Sequence, residues 1–393
     1  MQYRADAKGT PISLLGYGCM RFEKKGTQYD FQKAERDILH AIKKGVTYFD
    51  TAYIYGNSEA ILGEVLQKHN LRDKVYIATK LPHYLIRSKK GLDNLFAQEC
   101  KRLRTSYIDY YLMHMLTDID TWKALIGMGI LEWIAEKKAS GQIRNIGFSY
   151  HGATAMFKQL VDVYNWDFCM IQYNYVDEHS QAGRAGLHYA HSKGLAVMIM
   201  EPLRGGNLVN ALPAKAKQLM AKNERNYSPA EWAFRWLFSQ PEVTCVLSGM
   251  FTTAMVDDNV RIASETAIGS FSEDDFALID KVKECIAKAQ KVPCTGCGYC
   301  LPCPAHVDIP GSFHSYNAMF SESKHKGRSD YLKATALRKT PSSASNCIHC
   351  LKCVKHCPQR IDIPTKLAES SKALETPQYK LLKWVVQRFH IWK

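Results

Sequence analysis

Residues 75–114 read VYIATKL-PHYLIR-SKKGLDNLFAQECKRL-RTSY-IDYYLMH. Two apolar runs, Val75–Leu81 and Ile108–His114, flank a periodic stretch, Ser88–Leu103, that opens on a serine cap. Each run is rich in β-formers on both faces, which suits a strand buried on both sides. Strand, helix and strand in succession make a parallel unit with a crossover helix. Outward from it the pattern repeats, with strands expected at Leu14–Cys19, Thr47–Ala52, Ile143–Ser149, Phe168–Asn174, Ala196–Pro202 and Val243–Gly249. Helices are expected at Phe31–Lys44, Ser58–Lys68, Thr121–Ser140, Thr154–Val161, Ser180–Lys193, Pro229–Ser239 and Thr252–Ile262. Eight such units in roughly 250 residues have the size of a closed barrel. An open doubly wound sheet is the rival, but no G-x-G-x-x-G opens a helix after the first strand; Gly16-Tyr17-Gly18 opens none. The alternation predicts a (β/α)8 TIM barrel over residues 1–270.

Beyond it the character changes. Residues 271–291 read as one amphipathic connecting helix, 292–370 as a small cysteine-rich domain, and 371–393 as an amphipathic tail. Eight of the 13 cysteines fall between Cys294 and Cys357. The chain holds an internal repeat, Cys303-Pro304-Ala305-His306-Val307-Asp308-Ile309-Pro310 against Cys357-Pro358-Gln359-Arg360-Ile361-Asp362-Ile363-Pro364. Each copy follows three cysteines spaced three apart: Cys294, Cys297 and Cys300, then Cys347, Cys350 and Cys353. Three thiolates so spaced can wrap one cubane, and the fourth, before proline, reaches the other. Cluster I is then Cys294, Cys297, Cys300 and Cys357; cluster II is Cys347, Cys350, Cys353 and Cys303. The first run has two residues rather than three before its last cysteine, so the reach of Cys303 is the weak point. Structural zinc, which takes ligands in separated pairs, is the alternative. Helices are expected at Ser312–Phe320 and Ser329–Arg338, between the copies. The module resembles the two-cluster bacterial ferredoxins, and its long helical link resembles the α-helical ferredoxin domains of fumarate reductase and heterodisulfide reductase subunits.

The chain of 393 residues, 46% hydrophobic and 23% charged, is ordinary for a globular protein and excludes a disordered or collagen-like one. The N-terminal residues carry no signal-peptide core and no stretch suits a membrane span, so reduced thiols and a cytoplasmic location are expected. Cys19, Cys100, Cys169, Cys245 and Cys285 lack partner spacing and read as small buried hydrophobes.

Chemistry in such a barrel sits where strands end. Those ends carry Asp50, Lys80 and His114, with Tyr55 in the loop Asp50-Thr51-Ala52-Tyr53-Ile54-Tyr55-Gly56. A phenol is a weak acid at neutral pH, and a nearby ammonium stabilises its anion. A carboxylate can hold the ammonium, and a neutral imidazole can donate to a carbonyl oxygen. The set suggests general acid–base chemistry on a carbonyl, with Tyr53 and Tyr84 as rival phenols. With D-T-A-x-x-Y-G, the lysine of A-T-K and the histidine of Y-L-M-H, residues 1–270 resemble the aldo-keto reductase family. The whole chain resembles a branch that carries a C-terminal ferredoxin module. The resemblance implies that Asp50 orients Lys80, Tyr55 is the acid/base and His114 positions a carbonyl or alcohol substrate.

It also implies NAD(P)H, held through Ser149, Gln172 and Asn174 after strands five and six. After strand seven, Met200-Glu201-Pro202-Leu203-Arg204 places Met200 where the family has an aromatic under the nicotinamide, with Leu203 and Arg204 following. Near strand eight, Ser248 and Gly249 lead into a helix whose amides suit phosphate, and Asp258-Asn259 matches an adenine-contacting pair. The usual 2′-phosphate lysine and arginine are missing there, Arg261 lying past Asn259.

Hydrides carry two electrons and clusters pass one, a mismatch that a flavin would bridge. Three readings stay open: a nicotinamide-dependent carbonyl reductase with two [4Fe–4S] clusters on an electron path; a flavin- or ferredoxin-linked oxidoreductase; and a redox sensor on an inactive barrel. The formal charge is +14. With both clusters oxidised it becomes about +10, each core with four thiolates carrying about −2. No basic block or nucleic-acid motif accompanies the charge; a solvated basic surface is its commonest reading, and an acidic ferredoxin or flavodoxin suits it better as a partner than nucleic acid does. The tail places Leu382, Val385, Val386 and Phe389 on one helical face, for docking on the protein's own barrel or cluster module, or on a membrane surface or partner. Oligomeric state is not legible.

Overall fold

The computed structural model describes residues 1–26, 28–152, 154–336 and 340–389. Its chain packs as two units. The first is Met1–Pro202 with Glu231–Ser272; the second is Leu203–Ala230 with Glu273 onward.

In the first unit, eight strands close into a barrel: β1 (Leu15–Gly18), β2 (Tyr48–Asp50), β3 (Tyr76–Leu81), β4 (Ile108–Met113), β5 (Ile143–Tyr150), β6 (Phe168–Gln172), β7 (Ala196–Met200) and β8 (Cys245–Ser248). They pair in chain order, all parallel, as the alternation predicts. Side chains alternate along a strand, so the interior is read by parity. Tyr48, Ala78, Tyr110, Leu112, Phe168, Met170, Ala196, Met198, Cys245 and Leu247 form one buried cluster. Continuing the same parity to the strand ends reaches Asp50, Lys80, His114, Ser149, Gln172 and Met200. The rule that fills the core thus delivers polar groups to its C-terminal rim.

The other end is closed by an antiparallel hairpin, Tyr3–Ala5 with Pro11–Ser13, which the alternation does not foretell. It inserts Ile12 into the interior cluster, and its turn residue Asp6 accepts a 2.6 Å hydrogen bond from Tyr110. Most helices follow their caps: Asp30 takes the amide of Lys33, Ser88 that of Gly91 and Thr252 that of Met255. The expected helix 121–140 is two, Ile119–Gly127 and Ile130–Ala139, broken where Gly129 adopts φ 85°.

The second unit contains helices Glu273–Ala289, Ile309–Ser321, Lys324–Thr335, Ile363–Leu374 and Pro377–Arg388. The sequence repeat is a structural repeat. Asp308 and Asp362 each cap the helix that follows, accepting the amides of Gly311 and Thr365, with Pro310 and Pro364 in the first turns. The left-handed positions also correspond: Gly296 and Gly298 at φ 71° and 82°, against His349 and Leu351 at 53° and 59°. His306 and Arg360 match likewise, at 56° and 51°. The core joins Val292, Val307, Ile309, Phe313, Ile361, Ile363 and Leu367, with ligand-spaced cysteines packed against it.

The C-terminal helix docks on this unit by a face other than the expected one. Tyr379 bonds Thr335 and Ser343 through its hydroxyl, Lys383 donates to Ser343, and Val386 is buried. Of the expected face only Val386 is buried, while Leu382 and Phe389 are 45% and 63% exposed. Residues 390–393, the end of the expected tail, lie outside the described residues, as does Arg338 at the end of the expected helix 329–338. Among the described residues no helix is long and apolar enough to cross a membrane.

Candidate active site and cysteine sites

Lys80 is the hub of the barrel rim. Its ammonium donates to Asp50 Oδ1 at 2.6 Å and to the carbonyl of Thr51 at 2.7 Å. The same nitrogen lies 4.9 Å from the centroid of the Tyr55 ring. Tyr55 in turn stands edge-on to the His114 imidazole, centroids 6.0 Å apart. Asp50, Lys80 and His114 are buried and Tyr55 is half-buried. All four tetrad residues therefore meet. The loop holding Tyr55 is fixed by a Thr51–Ser58 hydroxyl pair and by Ser58 donating to the Cys19 carbonyl. The rival phenols point elsewhere: Tyr53 donates to Gln98 beneath the Arg102 guanidinium, and Tyr84 is 39% exposed.

Burial pushes the Asp50 carboxyl above the usual range and Lys80 pulls it back; the contact is that of an ion pair. Burial, then the charge of Lys80 and the imidazoles of His151 and His83, hold His114 well below its ordinary value. His114 is therefore neutral at pH 7 and can donate a hydrogen bond without carrying charge.

The predicted cofactor residues divide. Ser149 accepts the amide of Met115 at 2.9 Å, leaving its own proton to donate. Gln172 is drawn into a relay: its amide nitrogen donates to Asp177, its oxygen accepts from Gln181, and Gln181 bonds His151 Nδ1 at 3.1 Å. Asn174 donates to Asp177 and to the Glu201 carbonyl and receives the amides of Val176 and Asp177. Met200 ends β7. Asn259 donates to Ser248, and Arg261 is held by Asp258, Glu231 and Glu265. Leu203 and Arg204 belong to the second unit, where Arg204 donates to Gln290. Gly249 lies beside the aliphatic part of Arg21.

His83, His151, Gln181, Asp177 and Arg21 were not singled out by the sequence. For His151 a signal existed, since it directly follows β5 on the inward parity. Because Asp177 only accepts, the relay has one direction and assigns the proton of His151 to Nδ1. Nε2 is then left as an acceptor, and burial holds the ring neutral, with a value of about 4.

In the second unit Cys294, Cys297, Cys300 and Cys357 line one cavity, closed by Ile309, Phe313 and Ile361. Burial raises the Cys300 thiol, and the neighbouring thiols that raise it further are Cys294, Cys297 and Cys357. Cys353 is raised by burial and by Cys347, Cys303 and Cys350. Cys294, Cys297, Cys300 and Cys357 thus share one cavity, the grouping that the spacing expects of cluster I. Asn207 donates to the carbonyl of Cys294 within this unit. Four thiols around an otherwise apolar cavity suit a multi-iron core. Among the described residues no group of three or more His, Cys, Asp or Glu side chains is arranged to hold a metal ion.

Comparison with known proteins agrees with both halves. A family model described as "Aldo/keto reductase family" matches residues 14–284, and one described as "4Fe-4S dicluster domain" matches 293–361. The chain is 26% identical to an uncharacterized oxidoreductase, YqkF, of Bacillus subtilis, over 71% of this chain and 96% of that one. It is 28% identical to the methylglyoxal reductase YeaE of Escherichia coli, over 69% and 90%. Among solved structures, an aldo/keto reductase of Klebsiella pneumoniae in complex with NADPH shares the fold (TM-score 0.58, 21% identity, 72% and 95% coverage).

Proposed function

Since the chain belongs to the aldo/keto reductase family, with a 4Fe-4S dicluster domain C-terminal to the barrel in sequence, we propose that it reduces a carbonyl compound, or oxidises the alcohol, by hydride transfer. In this reading Tyr55 is the acid/base, and two [4Fe–4S] clusters carry electrons. The carrying observation is the Lys80 ammonium set between the Asp50 carboxylate and the Tyr55 ring, beside His114. A nicotinamide would supply the hydride, with Ser149, Met200, Ser248, Gly249 and Asn259 as its candidate contacts. Lys80 stabilises the developing phenolate as the Tyr55 proton moves to the substrate oxygen. His114, neutral, donates to that oxygen and positions it. The eight cysteines hold the clusters in the crossed sets, within a domain of residues 292–370.

A flavin-linked version is favoured by two details: Met200 offers less stacking surface than an aromatic, and three carboxylates occupy Arg261. Anaerobic purification decides between the versions. About eight irons per chain, a broad band near 400 nm and no flavin spectrum are expected. NADPH or NADH should then be oxidised on adding methylglyoxal or another small carbonyl. A flavin spectrum would move the reading to the second version.

His151 enters as a neutral acceptor at the rim. Its Nε2 suits a hydroxyl or amide N–H of the bound substrate or cofactor. His151→Phe should raise the KM of one of them by about tenfold, the worth of one lost hydrogen bond, with kcat changed much less. Unaltered KM values for both would remove this role.

A further inference from the structure

The two cysteine runs share their left-handed positions and differ in what they show to solvent. In the first run the left-handed positions are glycines, Gly296 and Gly298. In the second they are His349 and Leu351, at φ 53° and 59°. A branched side chain held there costs free energy that glycine avoids. Leu351 is nevertheless kept, and it is 54% exposed, beside Ile348 at 65%. Between them Cys350 is the one exposed thiol of the eight. Charge divides the same way. Residues 292–307 contain no Lys, Arg, Asp or Glu, whereas 346–361 contain Lys352, Lys355 and Arg360 and no acidic residue. All three are exposed.

We propose that the loop 347–356 is the docking surface for a small acidic one-electron carrier protein of the ferredoxin type, which exchanges electrons with the second cysteine set. This rests on the proposed function only in requiring a cluster there. Ile348 and Leu351 supply an apolar contact over the Cys350 edge. Lys352, Lys355 and Arg360 supply the positive rim that steers a negative partner. A pair of apolar anchors within a charged rim suits the small interfaces of transient redox complexes. In the exchange, one electron leaves a reduced cluster at this set, oxidising it by one, and reduces the carrier's own cluster by one. No bond or proton moves. The neutral first run, whose Cys294 carbonyl is bonded by Asn207, has no such rim.

The test uses the full chain with its iron content measured, and an acidic plant-type [2Fe–2S] ferredoxin as probe. Affinity is read by anisotropy of the labelled probe, and electron transfer by stopped flow after dithionite reduction. Lys352→Glu with Lys355→Glu should weaken binding at least tenfold at low ionic strength, with the difference vanishing at high salt. Leu351→Gly should weaken binding severalfold at both salt concentrations while leaving the melting temperature unchanged or raised, because it removes the left-handed leucine. Oxidation by methyl viologen, which needs no docking, should be the same in all variants. Should the charge reversal lose iron, Lys352→Gln with Lys355→Gln is read in its place. Unchanged affinity and rate in variants with full iron content would overturn the proposal, as would binding of the loop to anionic vesicles in place of ferredoxin. A wild-type chain without iron would instead overturn the cluster reading itself.

Discussion

Tyr55→Phe should lower kcat/KM for carbonyl reduction by roughly 10²–10⁴-fold, the usual contribution of a positioned acid/base. The variant keeps the ring against which Lys80 and His114 pack, at 4.9 Å and 6.0 Å, and loses only the hydroxyl. Its fold, iron content and nucleotide affinity should therefore match the wild type. An inactive barrel would show no difference between the two proteins, and that outcome would remove the enzymatic reading. The pH profile offers a second check on the same site. Burial holds His114 well below 6.5 and His151 at about 4. Neither should protonate as the pH falls through 6.5, so no loss of kcat should appear there. Stability behaves differently. The unfolded chain takes up protons on these histidines below about pH 6.5 and the folded chain does not. Stability should thus decline with falling pH from 6.5 down to the depressed folded values, while kcat holds.

Strand parity explains why so much of the barrel site is legible in the sequence. A buried strand alternates between two faces, and the face that carries Tyr48, Ala78 and Leu112 into the core must carry Asp50, Lys80 and His114 to the rim. Position and chemistry are set by one local rule. The thiol sets are legible for a similar reason, since their spacing is a property of the chain alone. Choices made by tertiary contacts are not. The hairpin that closes the barrel floor is three residues a side and pairs through Asp6 with a tyrosine 104 positions away. The tail shows two candidate apolar faces, and its docking is decided by hydroxyls at Thr335 and Ser343 that periodicity cannot weigh. The place of Gln172 at the end of β6 reads as that of a ligand contact. Its amide bonds Asp177 and Gln181, and Gln181 bonds His151, a relay that its place on the strand does not foretell.

Cys303→Ala should halve the iron, from about eight to about four per chain, and the half that disappears should be the second cluster. By position in the chain Cys303 belongs with Cys294, Cys297 and Cys300, and a simple reading of the run would assign it to the first. The proposed crossing puts it instead with Cys347, Cys350 and Cys353, and Cys357 lines the cavity of Cys294, Cys297 and Cys300. The two assignments predict opposite survivors. In the crossed arrangement Cys303→Ala leaves the set of Cys300 intact, and Cys300→Ala leaves the set of Cys353 intact. Electron paramagnetic resonance of the two reduced variants should show two different residual signals, which together account for the wild-type spectrum. Stability adds a constraint that spacing could not supply. In the proposed crossing each thiol ties together two runs more than 40 residues apart in the chain, so that each cluster would be a cross-link as well as a cofactor and its binding energy folding energy. Either variant should therefore lower the melting temperature of the cysteine-rich unit by many degrees. Cys285→Ser, in the helix Glu273–Ala289 and outside both sets, should leave it unmoved. A zinc protein would answer differently at every step: metal without a visible band, no paramagnetic signal on reduction, and no oxidation by ferredoxin.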